Sequence, residues 1–73
     1  DLKSIYVRKK NVDFIYRSTD LKRTQMLLNG YNVSYVYVGR LERSRYESKS
    51  LEKFATFMDI AFQHGDVTIY RVR

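Results

Sequence analysis

Cysteine is absent from the chain, so neither a disulfide nor a thiolate-bound zinc can hold it together. Proline and tryptophan are absent as well, and glycine occurs only three times, which leaves no linker and no low-complexity tract. No run approaches the roughly 18 consecutive apolar residues of a membrane span, and Asp1-Leu2-Lys3 opens no secretory leader. The 73 residues are therefore expected to form one domain, 1–73, held by apolar packing alone and with no membrane partner. Lack of cysteine fits a reducing compartment, so an intracellular location, in the cytoplasm or with the nucleoid or nucleus, is expected. A first residue other than Met and a strand-like ending, Tyr70-Arg71-Val72-Arg73, make the sequence read as a piece of a longer chain.

Catalytic equipment is scarce too. His64 is the only imidazole, and there is no G-x-S-x-G elbow, no phosphate-cradling glycine loop and no metal-ligand spacing. A metal-dependent nuclease assembled from the scattered Asp13, Asp20, Asp59 and Asp66 is the one catalytic alternative. The expectation is a non-enzyme with no cofactor and no metal.

What the sequence does have is positive charge. Fourteen Lys and Arg against eight Asp and Glu give +6, a field that attracts polyanions, although a net charge of this size also serves plain solubility. It also has seven tyrosines, against four phenylalanines.

Local patterns predict an α+β fold. Residues 5–8 and 12–17 are β-branched and aromatic runs around a Lys10-Asn11 turn, read as a hairpin in which Val7 meets Phe14 and Ile5 meets Tyr16, while Arg8 meets Asp13 and Tyr6 meets Ile15 on the other face. Ser18-Thr19-Asp20 can cap a short helix over 21–28 that ends at Asn29-Gly30. Residues 33–38 are the clearest strand, bounded by Gly39, and 40–47 read as an edge strand or a loop. From Ser48 or Ser50 a core helix is expected, with Leu51, Phe54, Ala55, Met58, Ala61 and Phe62 along one stripe and Gly65 ending it; 66–72 form a last strand. The order β-β-α-β-(β)-α-β places two helices on one face of an antiparallel sheet of four to five strands. With the first strand set aside and 40–46 taken as a strand, the remainder is the ferredoxin-like order.

Alternation puts Tyr6, Tyr35, Tyr37 and Tyr70 on the face away from the helices, together with Arg8, Ile15 and Arg17. Rings among cations suit single-stranded nucleic acid, which needs flat surfaces for bases and charges for phosphates. The competing reading is that cross-strand tyrosines merely stabilise an exposed sheet. Arg40, Arg43 and Arg45 form a cluster suited to phosphate, and Lys22 with Arg23 sits in a first helical turn where acids are usual, a further anion seat. Phe57 and Ile60 lie off the main stripe, where a partner could cover them. The candidate site is thus Arg8, Arg17, Lys22, Arg23, Tyr35, Tyr37, Arg40, Arg43 and Arg45, and the expected partner is nucleic acid, DNA or RNA. The alternative is a small regulator that docks an acidic protein, because Tyr and Arg also dominate protein-interface hot spots.

Overall fold

A computed structural model describes the backbone of residues 2–73 and the side chains of residues 8–73. Helix α1 (Leu2–Arg17) and helix α2 (Leu21–Gly30) lead into strand β1 (Tyr35–Val38). Short helices α3 (Arg40–Arg45), α4 (Ser48–Glu52) and α5 (Phe54–Phe57) follow, and a hairpin of β2 (Met58–His64) and β3 (Val67–Val72) closes the chain. The three strands form one antiparallel sheet in the order β1-β3-β2. The α+β class is as expected; the four or five strands, the two helices and the ferredoxin-like order are not, since the described residues form three strands and five helices.

Helix α2 begins where the sequence places it: Asp20 Oδ1 accepts from the Arg23 N–H at 3.0 Å, capping the first turn. The next turn beyond it is satisfied by Tyr31, Asn32 and Val33, whose N–H groups reach back to the Leu27, Asn29 and Leu28 carbonyls. Helix α3 starts at Gly39, whose N–H donates to Glu42 Oε1 at 2.8 Å.

The core lies between the helices and one face of the sheet. Ile15, Leu28, Leu51 and Phe54 meet Val36, Val38, Met58 and Tyr70, all buried, and Phe54 is fully buried as expected. Its ring meets Tyr16 edge-on at 6.0 Å and packs beside Tyr70 at 5.7 Å. The last carbonyls of α1 are capped from α4 and its boundary: Ser50 Oγ donates to Arg17 O at 2.7 Å, and buried Lys53 Nζ donates to the Ile15 and Tyr16 carbonyls. Lys53 also lies 4.6 Å from the Phe54 ring centroid.

Five sequence expectations are corrected. Residues 5–8 and 12–17 are not hairpin strands and Lys10-Asn11 is not a turn, since α1 runs through both; the side chains of Ile5, Tyr6 and Val7 lie outside the described residues. Asp13 and Arg17, one helical turn apart, pair at 3.0 Å, and Ile15 turns into the core rather than onto an exposed face. Residues 40–45 are helical, where a strand or loop was expected. The expected core helix is instead the two short helices α4 and α5, ending at Phe57, so buried Met58 and exposed Ala61 and Phe62, all placed in its core stripe, are strand residues. Gly65 does not end that helix; it sits at φ +58° in a two-residue turn with Asp66 that joins β2 to β3.

Candidate functional site

Partners across an antiparallel ladder share a face. The registers Val36↔Tyr70 and Val38↔Thr68 define the helix side, so Tyr70, expected outside, is buried. The opposite face carries the rows Tyr35↔Arg71↔Asp59 and Tyr37↔Ile69↔Phe62. Phe62 reaches that face because the register slips between Ile60 and Phe62: Ile60 pairs with Tyr70 and Phe62 with the neighbouring Ile69. Tyr35, Tyr37 and Phe62 are 58 %, 50 % and 50 % exposed. No described helix covers them.

Tyr37 is held in place on this face. Its carbonyl accepts the Tyr16 hydroxyl at 2.6 Å, which ties the free edge of β1 to α1. Its ring leans along the strand over Gly39, where a Cβ would fall 2.5 Å from the Tyr37 Oη. Burial pushes the Tyr16 hydroxyl up to about 12, with the Glu42 charge adding to it, so it is a neutral donor at ordinary pH. At the opposite edge of the sheet, Arg73 pairs with Asp59 at 3.0 Å, and β2 has no described neighbour beyond it.

The basic residues singled out in the sequence do not join Tyr35 and Tyr37. Arg8 lies 5.9 Å from the Tyr31 ring centroid and Arg23 5.3 Å from that of Phe14, both within the α1–α2 pair on the helix side. Lys22 is exposed on the first turn of α2. Arg17 binds Asp13 and lies 5.6 Å from the Tyr46 ring, which Arg45 approaches to 5.7 Å and Tyr16 stacks upon at 5.3 Å. The Arg17 hydrogen bonds, joined by one from the Tyr46 hydroxyl, hold Asp13 below its ordinary pKa. Arg40 faces Asp66 at 3.5 Å. Arg43 is a strap: its Nε donates to the Asp66 carbonyl at 2.8 Å and its Nη2 to Thr68 Oγ1 at 3.0 Å, so it ties α3 to the β2–β3 turn. Arg40 and Arg43 thus converge on Asp66 in the β2–β3 turn, while Arg45 turns to the Tyr46 ring.

Residues 8–32 hold six Lys and Arg against Asp13 and Asp20, both already engaged, so much of the positive surplus lies on the helix side. No known protein family, curated protein or solved structure matches the chain. Among the described residues no three His, Asp or Glu gather in a group that could hold a metal ion: Asp13, Asp20, Asp59 and Asp66 are separately engaged with Arg17, a helix start, Arg73 and Arg40. No described helix is long and apolar enough to cross a membrane.

Sequence reasoning missed Phe62, Ile69 and Arg71 as members of the open face. Phe62 was assigned to a helix, although Gly65-Asp66 between two alternating apolar runs is a hairpin signal that would have placed it on a strand.

Proposed function

We propose that this chain is a non-enzymatic docking module that presents its uncovered sheet face to an acidic partner protein. The observation that carries this reading is the row Tyr37–Ile69–Phe62, two half-exposed rings flanking a partly buried Ile69, bordered by Arg71 and by the Asp59–Arg73 pair. An apolar centre with aromatic anchors and a charged rim is the anatomy of a protein interface. Rigid strands hold the rings in position, so little side-chain order is lost on contact. The +6 charge favours an acidic partner by steering encounter rather than by contact at the face itself.

A second reading, single-stranded nucleic acid, is favoured by the exposed rings of Tyr35 and Tyr37, the first of them opposite Arg71 on the neighbouring strand. DNA and RNA would share the phosphate contribution. The two readings separate in one comparison. The variant Tyr35→Ser/Tyr37→Ser/Phe62→Ser should keep its melting temperature and lose a protein captured from nuclease-treated extract by the parent chain. If the parent instead binds unrelated oligonucleotides with a steep salt dependence that the variant loses, the face belongs to nucleic acid.

A further inference from the structure

The geometry points to a second binding site, which shares only Tyr35 and Arg71 with the open sheet face: we propose that the groove where α2 meets the end of the sheet binds a small hydroxylated anion, a sugar or polyol carrying a phosphate or carboxylate. The groove has a volume of about 550 Å³, within the range of small-molecule sites. Apolar Leu28 and Val72 line it together with the polar side chains of Asn29, Asn32, Ser34, Tyr35 and Arg71. None of these five polar side chains has a hydrogen-bond, ionic or ring partner among the described residues. For Arg71 this is distinctive. Every other arginine meets a carboxylate, a carbonyl, a hydroxyl or a ring, whereas Arg71 is held on the central strand opposite Tyr35 with its guanidinium unengaged.

The polar side chains of the groove are of two kinds. Arg71 is a cation whose planar fork matches a phosphate or carboxylate. Asn29, in the last turn of α2 where the helix dipole disfavours an anion, joins Asn32 and Ser34 in offering amides and a hydroxyl that both donate and accept, as ligand hydroxyl groups require. The Tyr35 ring adds apolar surface against which a carbon skeleton can lie. A bare anion would leave the amides unused, and a neutral sugar would leave Arg71 unused.

Nitrogen-15 NMR titration of the chain with glucose 6-phosphate, glucuronate, glucose and inorganic phosphate tests the site. The two sugar anions should bind at least about tenfold more tightly than either glucose or phosphate, with the shifted amides confined to residues 28–35 and 71–72. Arg71→Gln, at an exposed position, should weaken both sugar anions about tenfold while leaving the spectrum folded. Asn29→Ala, which does not touch the open sheet face, should weaken the sugar anions and leave phosphate alone unchanged. The proposal is overturned by an absence of shifts at ~10 mM ligand, by equal affinity for phosphate and glucose 6-phosphate, or by shifts centred on Arg8, Lys22 and Arg23 instead. Phosphate and carboxylate arms show which anion the fork prefers.

Discussion

Lys53 is 5 % exposed and faces carbonyls and a ring, with no carboxylate in contact among the described residues. Burial lowers its pKa to about 8 from the ordinary 10.5. Between those values the unfolded chain holds a proton that the folded chain has released, so stability should rise with pH across that window. Tyr16 acts in the opposite sense: its pKa is raised to about 12 from 10.0, so its contribution is complete below 10 and is lost as pH climbs from 10 toward 12. Urea midpoints should therefore peak near pH 10, and Lys53→Met should remove the rising limb while sparing the falling one. Arg43 offers a second test at this scale. Because it donates both to a backbone carbonyl and to the buried Thr68, Arg43→Ala should cost about 1 to 3 kcal/mol in chemical denaturation, far more than Arg40→Ala at an exposed ion pair.

At the scale of elements, what could be read from the sequence depended on how unambiguous each period is. Residues 35–38 alternate strictly, and Asp20 stands at a helix start with a free side-chain oxygen; both elements form as expected. Phe54 and Met58 keep helical spacing and are buried, but the same spacing continues into Ala61 and Phe62, which the hairpin draws into β2. The pairing with β3 and the Gly65-Asp66 turn outweigh local periodicity there, because strand pairing is rewarded only by contacts a window of sequence does not show. Residues 5–17 failed for the converse reason. Ile15 in the core, the Asp13–Arg17 pair and the Tyr16 contacts reward a helix, and β-propensity alone could not reveal them. The candidate site suffered accordingly: Tyr35 and Tyr37 were legible because their strand was, whereas the cations assigned to their face followed α1 to the helix side. Gly65 tests the hairpin. At φ +58° it occupies a conformation that costs other residues about 1 to 2 kcal/mol, so Gly65→Ala should lower thermal stability by that order without changing the helical circular-dichroism signal.

Across the whole molecule, charge and aromatic surface are segregated. The helix pair 8–32 carries a large positive surplus, while the opposite side of the sheet presents Tyr35, Tyr37, Ile69 and Phe62, with Arg71 and the Asp59–Arg73 pair at their border. A long-range positive field on one side and an apolar contact face on the other suit a partner that is drawn in by charge and held by the sheet. The exposed edge of β2 beside Phe62 adds unpaired backbone groups to that surface. Site-resolved photo-crosslinking tests this arrangement most directly. A photoreactive phenylalanine analogue at Phe62, on the sheet face, is compared with the same analogue at Met26, which is exposed on α2. The docking account predicts one discrete, nuclease-resistant protein adduct from position 62 and none from position 26; nucleic-acid adducts, or equal labelling from both positions, would contradict it.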